Sequence, residues 1–314
     1  MKHIKRSVDG ILLFDKPLTL SSNIALQKVR RLFQAEKAGH TGTLDPLATG
    51  LLPICLGEAT KFTSALLEAD KTYYALIKLG QTTTTADAEG EITSTNPVQV
   101  NEEQVRAVLL RFVGEIQQTP PMHSALKHQG KALYEYIRQG ETIERASRSI
   151  TIYELHLMRF AGDELEITVR CSKGTYIRTL AEDIGQALGC GAHLGGLRRT
   201  AIGRFHLQDA HTLSQLEEMT LAQRDACLLP LDSLLQEMPT VLLDSAQLLR
   251  IGQGQKLVIE STPVVGSLLQ GRVRLYAAGS FVGLADFDGQ CLVPVRILSS
   301  VAKSAAQAGL VFGE

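Results

Sequence analysis

Hydrophobic and polar positions alternate along this chain in short runs, broken by glycine and proline. Gly10–Pro17 (GILLFDKP) reads as a buried strand stopped by its proline. Ser21 or Ser22 caps a predicted helix running to about Gln34, with Ile24, Val29, Leu32 and Phe33 along its apolar side. Residues 38–57 hold four glycines and two prolines around one Asp and one His, which predicts a structured loop. Residues 58–69 suit a second helix, and Lys71–Gly80 alternates as a strand with Tyr73, Ala75, Ile77 and Leu79 on one side. A polar loop follows over 81–98, then an Asn101/Gln104 capping box before the helix VRAVLLRFV. Residues 122–149 show little apolar periodicity and carry five Lys/Arg, which predicts a mobile basic excursion. Residues 150–160 and 164–171 read as a hairpin turning at Ala161-Gly162-Asp163. Ile177, Leu180, Ile184 and Leu188 mark a helical stripe that Gly189 ends. Beyond about residue 240, short β-rich pieces alternate with glycine turns, the pattern of a small barrel or sandwich. The domain boundary is placed in 235–245, and no repeat of fixed period is present.

At 314 residues the chain has room for about two domains. It is 44% hydrophobic and 21% charged, which excludes a disordered chain, a collagen-like fibre and a coiled coil. With 5% aromatic residues and no Trp, the core must rest on Leu, Ile, Val and Ala. Apolar stretches such as Leu51–Leu56 are too short to span a bilayer, and Ile11–Phe14 is too short for a secretory signal. Five widely spaced cysteines without a CxxC pair predict reduced thiols in the cytoplasm, and speak against zinc or a disulfide frame. A net charge of −1 speaks weakly against nucleic acid, but it conceals an uneven distribution. Residues 1–40 carry +5, residues 170–204 carry +4 and residues 205–249 carry −6. A basic face can therefore exist for a phosphate backbone, unless the basic and acidic stretches pair with each other on folding.

The richest chemistry lies in 38–57, where Asp45 stands between Leu44 and Pro46 with glycines at 39, 42 and 50. A carboxylate on a stiff, apolar loop suits a nucleophile or base if a cation keeps it ionised. The bland alternative is a surface turn that uses Asp for its turn propensity. The segment matches neither GxGxxG nor GxxxxGK[ST], so a phosphate cradle is disfavoured.

HTGTLDPLATGLLPICLGEATK, DKTYYALIKLGQTTTTADAEG and CSKGTYIRTLAEDIG closely resemble the TruB family of tRNA pseudouridine-55 synthases. GILLFDKPLTLSSN and PPMHSALKHQGKALYEYIRQG are also similar, so the resemblance runs over roughly 10–205. It implies an α+β pseudouridine synthase fold, with a mixed, mainly antiparallel central sheet flanked by helices. It also implies a catalytic unit over 1–238, with 122–149 inserted as an RNA-binding flap, and a β-rich PUA-like RNA-binding module over 239–314. The implied activity is isomerisation of one uridine in the tRNA T loop, with no metal or organic cofactor, membrane or protein partner required. A monomer is expected, because RNA rather than a second subunit would cover the cleft.

By the same resemblance Asp45 is the catalytic carboxylate, Arg178 its cationic partner and Tyr73 the ring that stacks on the target base, all three counted as catalytic. The Tyr73 phenol can also assist loss of the C5 proton, although its ordinary pKa near ~10 opposes direct base action. Tyr176 and Leu197 belong to the pocket, His40 assists extrusion of the base, and Lys16 of the DKP motif supports the site. The chemistry suits these types. The reaction breaks C1′–N1, turns the uracil and forms C1′–C5, so the base needs a closed, flat, apolar slot. Stacking is worth ~1–3 kcal/mol per base and need not break during rotation. The carboxylate meets positive charge developing at C1′, either attacking it or removing a sugar proton. Tyr176 and Arg178, two apart, would point about 200° from each other on a regular helix. Either Tyr176 precedes the helix or the two serve different walls. Two other functions compete: an RNA-folding chaperone that grips the T arm without chemistry, and a phosphate-handling metabolic enzyme.

Overall fold

The computed structural model describes residues 5–124, 126–137, 139–141, 143–258, 264–265 and 270–311. Ten strands make the central sheet: β1 (Gly10–Lys16), β2 (Ala38–His40), β3 (Ala48–Leu56), β4 (Lys71–Leu79), β5 (Gly114–Gln118), β6 (Arg148–Ala161), β7 (Glu164–Cys171), β8 (Ala192–Ile202), β9 (Phe205–His206) and β10 (His211–Thr212). Their order is β10-β1-β3-β8-β4-β7-β6-β5, with β2 added to β3 and β9 to β8. The β1–β10 and β3–β8 pairs are parallel and the rest antiparallel, so the sheet is mixed and mainly antiparallel, as expected.

Helix α1 (Ser22–Leu32) starts where Ser21 accepts a hydrogen bond from the Ile24 N–H at 3.3 Å. Its buried stripe is Ser22, Ala25, Leu26 and Val29, spaced for one helical face. Ile24 falls off that spacing and is 51% exposed, so it does not belong to the apolar side. Helix α2 (Glu102–Leu110) has the expected capping box, both of its bonds 2.9 Å long. Helix α3 (Ile177–Ala187) buries Ile177, Leu180 and Ile184 with the α2 residues Val105 and Leu109 against β4, β6 and β7.

Three expectations are corrected. Residues 58–69 form two 3-10 turns, Gly57–Lys61 and Thr63–Leu66, because Thr60 and Thr63 hydroxyls bond the carbonyls of Gly57 and Thr60 and compete with helical pairing. Residues 38–57 are not a loop throughout, since Ala48–Leu56 is a buried central strand. Pro53 falls between Gly50, where β8 is the neighbour, and Ile54, where β2 takes over. Within the predicted 81–98 loop, Gln81–Thr83 and Ile92–Thr95 pair as a small hairpin.

The C-terminal sheet uses Thr240–Leu243, Leu257–Val258, Val264–Val265, Gly271–Ala277, Ser280–Phe287 and Cys291–Ile297, with a helix at Ser245–Gly252 and another at Ser299–Val311. Parts of the predicted β pieces, 259–263 and 266–269, lie outside the described residues. The sheet docks on the turns after β3. Phe62 meets Phe281 edge to face at 5.4 Å, and Lys61 Nζ donates to the Ile297 carbonyl at 2.9 Å.

Candidate active site

The loop joining β2 to β3 carries Asp45, and other elements hold it on each side. The buried Ser22 hydroxyl, at the start of α1, both donates to the Leu44 carbonyl and accepts from the Leu44 N–H, each at 2.8 Å. The Pro46 carbonyl accepts from the Thr19 N–H at 3.0 Å, and the Gly42 carbonyl from Arg199 Nη2 at 2.8 Å. These bonds fix the backbone around a carboxylate that is itself 51% exposed.

Arg178, in the first turn of α3, meets Asp45 Oδ2 through Nη2 and Asp87 Oδ2 through Nη1, the latter at 3.0 Å. Asp87 is buried, and its Oδ1 accepts from the Thr85 hydroxyl (2.5 Å) and the Glu89 N–H (3.1 Å). The guanidinium therefore bridges one anchored and one open carboxylate. Burial lowers its pKa from the ordinary 12.5, and the two acids favour the cation.

Beside this pair lies a cavity of ≈ 390 Å³. Its walls include Leu44, Leu47, Leu67, Ile177, Leu194 and Leu197, with the rings of Tyr73 and Tyr176. Pairing of β8 with β4 sets Leu197 opposite Ala75 and Arg199 opposite Tyr73. Tyr73 is half-buried, and its phenol bonds the Arg199 guanidinium. Burial pushes that phenol above its ordinary pKa of 10, and Arg199 opposes the rise. Tyr176 precedes α3 in extended backbone, its N–H donating to Gln118 Oε1 (2.8 Å) and its carbonyl accepting from Gln118 Nε2 (3.0 Å). That answers the spacing question: Tyr176 stands outside the helix and Arg178 inside it.

Asp45, Tyr73, Tyr176, Arg178 and Leu197 thus meet around one cavity. His40 and Lys16 are not among the residues that line it. His40 is half-buried on β2, and its Nδ1 has no hydrogen-bond partner among the described residues. Burial, then Arg199, holds its imidazole below the ordinary pKa. Lys16 is 0% exposed, and its ammonium donates to the carbonyls of Pro17 (3.0 Å) and Leu20 (2.6 Å). It braces the turn whose Thr19 holds Pro46. From the predicted flap, His123 and Ser124 reach the cavity wall, while residues 125, 138 and 142 lie outside the described residues.

Sequence reasoning missed Asp87 and Arg199. Asp87 sits in a run of threonines that reads as a polar loop, and Thr85 two residues before it was the available signal. Arg199 lies in the basic stretch 170–204, which reads as a face for phosphates, yet it is 1% exposed. Chemically, an ionised carboxylate at the mouth of an apolar slot can attack an electrophilic carbon or take a proton there.

Three family descriptions match in series: TruB family pseudouridylate synthase (N terminal domain) over 30–177, tRNA pseudouridylate synthase B C-terminal domain over 178–236, and Pseudouridine synthase II TruB, C-terminal, over 239–298. The tRNA pseudouridine synthase B of Methylobacillus flagellatus is 54% identical, over 95% of this chain and 97% of its own length. The chain belongs to the TruB family. It is an enzyme of the pseudouridine synthase class, an isomerase. The protein of the same name from Dechloromonas aromatica is 52% identical, over 95% of this chain and 98% of its own. Among solved structures, the TruB chain resembles a Cbf5-Nop10-Gar1 complex (TM-score 0.71, 26% identity, 92% of this chain and 84% of that one). It also resembles the archaeal box H/ACA sRNP Nop10-Cbf5 complex (TM-score 0.69, 25% identity, 94% and 86% covered). No helix among the described residues is long and apolar enough to cross a membrane.

Proposed function

We propose that this enzyme converts uridine to pseudouridine at position 55 in the T loop of tRNA, with Asp45 as the catalytic carboxylate. The observation that carries the reading is the Arg178-paired Asp45 at an apolar cavity walled by Tyr73, Tyr176 and Leu197. Arg178 keeps Asp45 ionised, and Asp87 keeps Arg178 in place. The flipped uracil lies against the two rings and Leu197, which confine it without hydrogen bonds that rotation would break. Extrusion costs a few kcal/mol, recovered by contacts in the slot. His40, on the strand leading into the Asp45 loop, assists extrusion, and Lys16 supports the site from beneath. The unit 1–238 performs the chemistry in the cytoplasm as a monomer, with 122–149 ordering over the T arm and 239–314 adding RNA contacts.

The test is incubation with an unmodified T stem-loop and detection of the product as a carbodiimide adduct. Asp45→Asn is expected to abolish turnover and retain binding. Unchanged turnover removes Asp45 from the mechanism. Binding by the native protein without any product would leave a T-arm chaperone as the function.

A further inference from the structure

Three cations lie at the cavity, Lys71 and Arg199 in its wall and Lys16 behind it, and they differ in how their charge is balanced. Lys16 has Glu89 nearby, and Lys71 has Asp70 and Glu68. Arg199 is 1% exposed and has no carboxylate partner among the described residues. Its Nε donates to the Leu51 carbonyl and its Nη2 to the Gly42 carbonyl, both at 2.8 Å. The one group bonded to it that can become an anion is the phenol of Tyr73, directly across the β4–β8 ladder. A buried cation without a counter-ion is costly, so its placement against a phenol calls for a reason.

We propose that Arg199 is a positioning residue that holds the Tyr73 phenol at the cavity wall and stabilises its phenolate while that oxygen takes the proton from C5 of the rotated uracil. The proposal rests on the reading above that this cavity isomerises uridine. In the step, the C5–H bond breaks and its electron pair restores the C5=C6 double bond of the ring. The phenolate oxygen gains the proton and becomes a neutral phenol, which returns it to water after the product leaves. Arg199 acts through Tyr73. It lowers the cost of the anion on Tyr73, and through Gly42 it ties that oxygen to the loop bearing Asp45. The titratable and charged groups around the pair are Lys71 on β4, Cys171 on β7, Lys16 on β1 and His40 on β2, with Asp45, Asp87, His123 and Arg178 across the cavity. All of these stay in place in every variant below, so a difference between variants reports Arg199.

The experiment places 2,3-difluorotyrosine at position 73, which brings phenolate formation into an accessible pH range. Phenolate absorbance and single-turnover rate on the T stem-loop are then followed against pH, with Arg199 intact and as Arg199→Gln. Glutamine is a neutral donor that can still serve the carbonyls. The expected result is displacement of both profiles to higher pH by about one unit or more, with a roughly 10-fold lower rate at neutral pH. Arg199→Lys, which keeps a cation, should fall between the two and provides the same reading if the neutral variant does not fold. A merely structural role would lower the rate at every pH and leave both midpoints unmoved, and that outcome overturns the proposal. Absence of product from the native enzyme would instead overturn the uridine reading, so the two failures are distinct.

Discussion

Arg178 sits between two carboxylates of unlike exposure, 3% for the Asp87 side chain and 51% for that of Asp45, and this asymmetry separates support from chemistry. Asp87 is spent on internal bonds, whereas Asp45 keeps an open side toward the cavity. Lys16 shows the same economy at a deeper level, since both of its acceptors are backbone carbonyls. Its ammonium is pushed down to about 8, by burial first and by Arg199 second, with Glu89 opposing. Below pH 8 the folded and unfolded chains both carry the proton, and folding bears the full cost of burying the charge. Between about 8 and the ordinary 10.5 the unfolded chain holds a proton that the folded chain has lost, so Lys16 favours folding more as pH rises. The urea midpoint of the native enzyme minus that of Lys16→Met should climb across that window. A difference independent of pH would refute it.

Among the elements, strand β3 departs furthest from expectation, and Gly50 shows why. Its φ is +99°, and a Cβ there would lie 2.3 Å from the Arg199 carbonyl oxygen. Glycine in this strand is demanded by the close approach of β8, so it is no sign of a loop. Gly50→Ala should cost about 3 kcal/mol or more in stability, measured by chemical denaturation. A loss below about 1 kcal/mol would show that β8 gives way easily. The elements read correctly have local causes. The α2 capping box, the α3 stripe and the β6–β7 hairpin turning at Gly162 (φ 63°) each follow from side chains and glycines close in sequence. The 3-10 turns after β3 were misread because hydroxyl-to-carbonyl bonding by threonine is invisible to apolar spacing.

At the scale of the molecule, the uneven charge is only partly consumed internally. Arg6 pairs with Asp225, joining the basic first stretch to the acidic 205–249, and Arg224 donates to the Leu32 carbonyl at 2.7 Å. Lys28 and Arg31 remain exposed on α1. If these and the basic residues near the cavity meet phosphates, the logarithm of T-arm affinity should fall with the logarithm of salt by about 0.7–0.9 per contact. A flat response in a salt titration would mean that internal pairing uses up the charge. The sequence alone determined the capped and periodic elements, the α+β class, and, through its resemblance, the family and a short set of candidate residues. It could do so because caps, periodicity and contiguous motifs are properties of near neighbours along the chain. Only the tertiary structure decided that Asp87 anchors Arg178, that Arg199 is buried against Tyr73, and that Lys16 and His40 stand outside the cavity wall. Those relations join positions far apart in sequence, and the strand pairings that bring them together leave no periodic mark on any one segment.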